Sequence, residues 1–196
     1  QINPHFLYNT LDTIYWVSRK EKAPETGKLI EALAKLFRLS LNNGKELILL
    51  NSEVEHLKNY LVIQKKRYGN SIKFSLDIEE ELLDCKVLKL ILQPLLENAI
   101  VHGIDKKEGK GNINVTIKKS DGNIIYEIVD DGIGIDVDEA YSLLENTTES
   151  NKGIGIKNIN DRLKLSFGDQ YGLQFFHAEG GGTKVVVLHP YIKGVD

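Results

Sequence analysis

Three glycine-bearing segments follow one another in the second half of the sequence: Asp130-Asp131-Gly132-Ile133-Gly134, Gly153-Ile154-Gly155-Ile156-Lys157-Asn158 and Gly181-Gly182-Thr183. The middle one comes just before a helical pattern, which sets exposed amide N–H groups at a helix N-terminus, where phosphate binds. It is not the dinucleotide fingerprint, because no full GxGxxG follows a strand, and the GxxxxGK[ST] phosphate loop is absent. Asp130 stands at a strand end beside Gly132, where a carboxylate can accept from an adenine amino group while the missing side chain lets the base approach. Upstream, Asn98 and His102 are four apart and share a helix face. The neutral oxygen of Asn98 suits Mg²⁺ alongside nucleotide phosphates, since hard cations prefer oxygen ligands. Taken singly, each feature is explained as well by a strand end, a turn carboxylate or a surface amide.

The elements that must position these groups are mixed. Residues 1 to about 43 read as two helices around the turn-forming segment 21–27, with Leu7, Leu11, Ile14 on the first and Leu29, Leu33, Leu36 or Phe37, Leu41 on the second. Such a hairpin cannot bury both its sides, so a second copy making a four-helix bundle is the economical partner. Asn42-Asn43-Gly44 closes it. Ser52 three residues before Glu55 signals a capping box for a helix to about Lys66. A strand is expected at 71–78, a helix over 87–102 with a kink at Pro94, and a hairpin of strands 112–118 and 124–130 turning at Asp121-Gly122. Residues 135–152 read as a polar mobile loop with a turn near Ala140 to Leu144. A helix at 156–167 and strands at 173–177 and 183–188 complete an α+β pattern, helices on one face of a sheet. The division expected is 1–48 and 49–196.

Composition narrows the possibilities. A net charge of -3 over 196 residues argues against a nucleic-acid surface driven by bulk positive charge. One cysteine, Cys85, makes no internal disulfide. No apolar run reaches the length of a spanning helix. The chain starts at Gln and has no Met, which suggests a fragment of a longer protein.

Leu92-Gln93-Pro94-Leu95-Leu96-Glu97-Asn98-Ala99-Ile100-Val101-His102-Gly103 resembles the N box of a sensor histidine kinase. Residues 130–134 resemble its G1 box, 153–163 its G2 box, and Gly181-Gly182-Thr183 the last glycine-rich strand turn. Together they resemble the GHKL (Bergerat-type) ATP-binding fold, and Gln1-Ile2-Asn3-Pro4-His5-Phe6-Leu7-Tyr8-Asn9-Thr10-Leu11 resembles the phosphoacceptor segment of the bacterial histidine kinases related to LytS and YesM. The resemblance implies an α/β sandwich with helices on a mixed, mostly antiparallel sheet. It implies ATP and Mg²⁺, with residues 135–152 as a lid. It also implies a two-component autokinase that moves the γ-phosphate to His5 and then to an aspartate of a response regulator. The implied setting is the cytoplasmic portion of a bacterial membrane sensor, dimeric through the hairpin in the full-length protein and weakly or not at all in the fragment.

His5 falls in a first helical turn opened by Pro4 and lies about 200° around from Leu7, so it faces solvent, where neutral imidazole is a competent nucleophile. The neighbour of His5 is Phe6 rather than an acidic residue, leaving Asn9 and Asp12 on its face. Pro94 occupies the position of the water-activating Glu in the GHKL ATPases, which spares ATP for transfer, and Glu97 orients a nucleophile or supports Asn98. Val101 replaces a phosphate-contacting Lys, with His102, Lys106, Lys107 or Lys152 as substitutes. Asn158 and Arg162 are expected to support the lid. The alternatives are a serine kinase of the anti-sigma-factor kind and a degenerate nucleotide-binding scaffold.

Overall fold

A computed structural model describes residues 4–40, 46–107, 109–145 and 153–194. The chain opens with α1 (Pro4–Lys20) and α2 (Pro24–Ser40), joined by a turn in which Lys22 takes a positive φ. On α1 the inward row is Leu7, Leu11, Tyr15 and Ser18, whereas Ile14, expected on that stripe, is exposed. The row steps by four and then by three from Leu11, which carries Ile14 past the seam. Gly27 lets the helices approach: a Cβ there would stand 3.1 Å from the Ser18 hydroxyl. On α2, Ala32 and Leu36 are buried and Leu29, Leu33 and Phe37 half-buried, while Leu41 and Asn42-Asn43-Gly44 lie outside the described residues.

A short β1 (Leu47–Leu49) leads directly into α3 (Leu50–Tyr68) and pairs antiparallel with β3 (Lys86–Leu88) in a two-stranded sheet the sequence does not announce. The capping box is not used. The helix starts at Leu50, with no side-chain cap at Leu49, and Ser52 and Glu55 fall inside it. Leu50 and Asn51 donate instead to the carbonyls of Cys85 and Leu83, at 2.8 and 2.9 Å, so backbone serves the first turn.

The helix expected over 87–102 is two shorter things. Val87 and Leu88 belong to β3, Leu90 adopts φ 60°, and α4 covers only Leu92–Asn98. A continuous apolar run does not by itself distinguish a strand from a helix, which is why the strand was hidden. Pro94 sits in the first turn of α4, where a missing N–H breaks nothing, so it makes no kink. The irregularity comes later, in a π-helical turn over Ala99–Ile104 that Asp105 closes by donating to the Ile100 carbonyl at 2.8 Å.

The main sheet has the order β2 (Ile72–Ile78), β4 (Gly111–Ser120), β5 (Asn123–Asp130), β7 (Thr183–Pro190), β6 (Gly172–His177). Only β2 and β4 run parallel. Period-2 alternation puts Ile113, Val115 and Ile117 of β4 and Ile124, Tyr126 and Ile128 of β5 on the buried face, against α3, α4 and the later α6 (Ile154–Phe167). The β4–β5 turn is the expected two-residue one, with Asp121 and Gly122 both at positive φ. Residues 137–145, expected as loop, form α5 (Val137–Glu145). Asp136 Oδ1 accepts from the Asp138 and Glu139 amides, and Ala140 and Leu144 are buried. Two buried anchors four apart are too few for the pattern to stand out from a polar loop. Residues 146–152 of the expected lid, Lys152 included, lie outside the described residues. Among the described residues no helix is long and apolar enough to cross a membrane.

Candidate nucleotide site

Asp130 closes β5 and is buried beneath the first turn of β7. Its Oδ1 accepts the Gly132 amide at 2.8 Å, and Thr183 holds it through both backbone and hydroxyl. Burial pushes its carboxyl above the ordinary aspartate value, and the Gly132 and Thr183 bonds pull it part of the way back. The glycines around it are steric requirements: a Cβ at Gly132 would be driven into the Gly103 backbone, and one at Gly182 into the Asp130 backbone. At Gly103 a Cβ would lie 2.8 Å from Asp130 Oδ1, filling the approach to the carboxylate. The N-box and G1 segments therefore touch through two glycines and a carboxylate.

Beside this carboxylate opens a cavity of about 220 Å³. It brings together Asn98, His102, Asp130, Gly134, Gly153 and Thr183, six of the residues expected from sequence. Its walls include Leu95, Ala99, Ile128, Ile133, Phe175 and Val185, an apolar slot of the kind that holds a planar base. The pairing of Phe175 with Val185 across β6 and β7, both facing the slot, escaped sequence reading because it depends on register. Asn98 donates Nδ2 to the Pro94 carbonyl at 2.7 Å, which assigns the other end of its amide, Oδ1, as the acceptor available to a cation. Gly153, at φ 81°, ends the loop and caps α6 at the cavity rim.

Other expected residues stand elsewhere. Gly132 serves Asp130 from behind the lining, and Gly155 rests against Pro94, where a Cβ would lie 3.5 Å from the proline. Glu97 is exposed, outside the lining, and accepts from Gln93 at 2.9 Å. Asn158 is exposed and also outside it. Of the cations offered in place of the absent Lys, His102 and Lys106 line the cavity, whereas Lys107 donates to the Asp131 carbonyl at 2.6 Å. Arg162 turns away from the lid: it donates to the Lys89 carbonyl at 2.8 Å and pairs with Glu46 at 3.1 Å, tying α6 to the entry of α4 and to the start of β1. Lys157, not expected in any role, donates to the Leu144 carbonyl at 2.6 Å and so fastens the end of α5 to α6. His5 is exposed on α1, with Nδ1 3.3 Å from the Asn9 amide, and does not line the cavity.

A model of the histidine kinase family matches residues 1–72, and a model of the histidine kinase-, DNA gyrase B- and HSP90-like ATPases matches residues 84–193. The chain is 36% identical over 190 residues to the sensor histidine kinase YesM of Bacillus subtilis, covering 97% of this chain and 32% of that protein. It is 30% identical over 191 residues to the sensor histidine kinase BtsS of Escherichia coli, again covering 97% of this chain and 32% of the relative. The sensor protein LytS of Bacillus anthracis is 32% identical over 193 residues, covering 97% of the chain and 33% of LytS. The chain thus spans about a third of the length of these curated relatives. Among solved structures, the histidine kinase domain of the Erythrobacter litoralis blue-light activated kinase EL346 superposes with a TM-score of 0.56 at 16% identity. That match covers 96% of this chain and 94% of the other. The catalytic domain of histidine kinase ThkA gives 0.57 at 17% identity, with 75% and 97% coverage. The chain belongs to the LytS/YesM-like sensor histidine kinases, and its second half to the histidine kinase-, DNA gyrase B- and HSP90-like ATPases.

Proposed function

With that membership as premise, we propose that the chain is the autokinase portion of a two-component sensor, transferring the γ-phosphate of ATP to His5 and onward to an aspartate of a response regulator. The observation that carries this reading is one cavity with apolar walls, a buried Asp130 at its base end and Asn98 on the neighbouring helix, in a chain that presents an exposed histidine on a separate hairpin. Residues 1–48 act as the acceptor and dimerisation unit and residues 49–196 as the ATP-binding unit, on the cytoplasmic side of a larger membrane sensor.

Asp130 accepts from the adenine amino group, and Gly132 and Gly134 keep its approach open. The Gly153 and Gly155 turn offers amides to the phosphates, with His102 next to them and Lys152 and Asn158 as lid supports. Asn98 Oδ1 holds Mg²⁺, with the phosphates completing its shell; the metal, when bound, offsets phosphate charge. His5 attacks phosphorus through Nε2: a P–N bond forms, the bond from the γ-phosphorus to the bridging oxygen breaks, and ADP leaves. Because His5 does not line the cavity, transfer requires either movement of the hairpin or the cavity of a second copy. Glu97, exposed beside Asn98, is available to orient the incoming imidazole.

Incubating the chain and its full-length parent with γ-labelled ATP and Mg²⁺, then mapping the label, tests the reading. Acid-labile, base-stable label on His5, lost in His5→Ala, is expected. Label on a partner serine would favour the serine-kinase reading, and ATP binding without transfer by the full-length dimer the scaffold. Nothing in the relatives favours a serine acceptor.

A further inference from the structure

Outside the cavity, the most heavily engaged side chain is the carboxylate of Glu53. It is buried on α3, only 1% exposed, and carries no part of the proposed chemistry. Its Oε2 accepts the Leu90 amide at 2.8 Å; its Oε1 accepts the Ile91 amide at 2.7 Å and the Leu92 amide at 3.0 Å. These are the donors at the entry to α4, a helix with no side-chain cap of its own. One carboxylate from 37 to 39 residues away therefore does what a local cap does elsewhere. Leu90, at φ 60°, is a non-glycine residue in the left-handed region, a conformation that persists where surroundings over-determine it.

The neighbouring contacts act on the same short stretch. His56, one turn along α3, approaches Gln93 Oε1 through Nε2 at 2.6 Å. Arg162 holds the Lys89 carbonyl. Residues 89 to 93 are thus gripped from α3 and α6, and the helix they start runs only seven residues before ending at Asn98, whose amide is fixed in turn by Pro94. A seven-residue helix has too few internal bonds to correct an error at its start.

We infer that Glu53 is a positioning residue for the nucleotide site: by capping α4 through Leu90, Ile91 and Leu92 it sets the rotation and depth at which Asn98 meets the metal-bound phosphates. This rests on the proposed reading of Asn98. Glu53→Gln replaces one acceptor oxygen with an NH₂ group that faces amide donors, so α4 shifts or rotates at its entry while the Asp130 end of the cavity, built on β5 and β7, stays put. Loss of an outer contact that orients a metal ligand costs about 10- to 100-fold in metal affinity.

The test is calorimetric titration of the 196-residue chain with ATP in EDTA and in Mg²⁺, comparing the unsubstituted protein, Glu53→Gln, and Val54→Ala as a core control on the same helix. The expected result is nearly unchanged ATP affinity in EDTA for Glu53→Gln with loss of most of the gain that Mg²⁺ gives the parent. Val54→Ala should lower the melting temperature yet keep that gain. A folded Glu53→Gln protein with the full Mg²⁺ gain, or one in which both affinities fall together as in the control, overturns the positioning role. If Glu53→Gln does not fold, hydrogen exchange of the unsubstituted chain decides. Amides 90 to 92 should be strongly protected and slowed further by ATP with Mg²⁺ than by ATP in EDTA; equal exchange under the two conditions overturns the role. An unsubstituted chain that binds no ATP counts against the proposed function instead, so the two failures are distinct.

Discussion

The hairpin and the sheet half spend their apolar side chains in opposite ways. In the 17 residues of α1 only Leu11 and Ser18 are buried, while Phe6 is 68% and Trp16 70% exposed, with Ile14 and Val17 about half out. In the seven residues of α4, Leu92, Leu95 and Leu96 are all buried. The sheet half closes a core by itself, from α3 through β7, and reaches into the hairpin only as far as Leu36. Phe6, Ile14 and Val17 share one side of α1, away from α2, and in the proposed dimer that side is the one to be covered. A catalytic unit must hold its slot to a fraction of an ångström in any state of the molecule, whereas an acceptor helix has to change neighbours. One region is therefore finished inside the chain and the other outside it.

The sharpest test of that contrast compares core deletions. Leu57→Ala, at a fully buried position of α3, should destabilise the chain by about 2–5 kcal/mol in denaturant titrations. A much smaller cost would mean that the sheet half is as loosely closed as the hairpin. Acid provides the next largest effect. His189 is buried in β7, where Leu88 N–H donates to its Nε2 at 3.2 Å and its Nδ1 meets the Pro190 carbonyl at 2.7 Å, so the proton sits on Nδ1. Burial lowers its pKa to about 4 from the ordinary 6.5. The neutral ring is favoured in the folded state, so its contribution is full above pH 6.5 and is lost as pH falls from there towards 4, by about 3 kcal/mol. His189→Gln should flatten that part of the stability profile; if chemical denaturation at pH 7 and pH 4.5 gives the same difference for both proteins, the assignment is wrong.

Asp130→Asn follows. Removing the charged acceptor should weaken ATP by about 10- to 150-fold, from roughly 1.5–3 kcal/mol for a charged buried hydrogen bond, with folding intact by circular dichroism. Because the carboxyl pKa is raised by burial, ATP affinity of the unsubstituted chain should begin to fall at a higher pH than an ordinary aspartate would allow. The smallest effect is expected on the exposed side of α1: Phe6→Ser should change the stability of the single chain by no more than about 0.5 kcal/mol while weakening self-association in sedimentation. A large loss of monomer stability would mean that Phe6 is covered within the chain.

Much of this was legible beforehand because it is written in short periods. The alternation Ile113, Val115, Ile117 marks β4, and the glycines at 132, 134, 153 and 182 mark places where backbones must meet or turn. Six of the expected site residues line one cavity. What stayed hidden depends on contacts distant in sequence. Val87 and Leu88 are strand residues because Leu47 and Ile48 pair with them, and α4 starts at Leu92 because Glu53 is there to satisfy its donors. Ser52 and Glu55 spell a cap that the fold does not use, since carbonyls of residues 83 and 85 arrive first.

The π-helical turn over Ala99–Ile104 has a consequence for how this segment tolerates change in length. A wide turn holds one residue more than the α-helix it interrupts, and each residue advances a helix by about 100°. Deleting Val101, exposed and without an evident packing duty, would restore regular winding and swing Gly103 off Asp130 and His102 off the cavity together. The spacing from Asn98 to Gly103 is therefore as much a part of the recognition apparatus as the side chains themselves. Homologues that lengthen or shorten that interval by one residue must rebuild the base pocket or give up ATP.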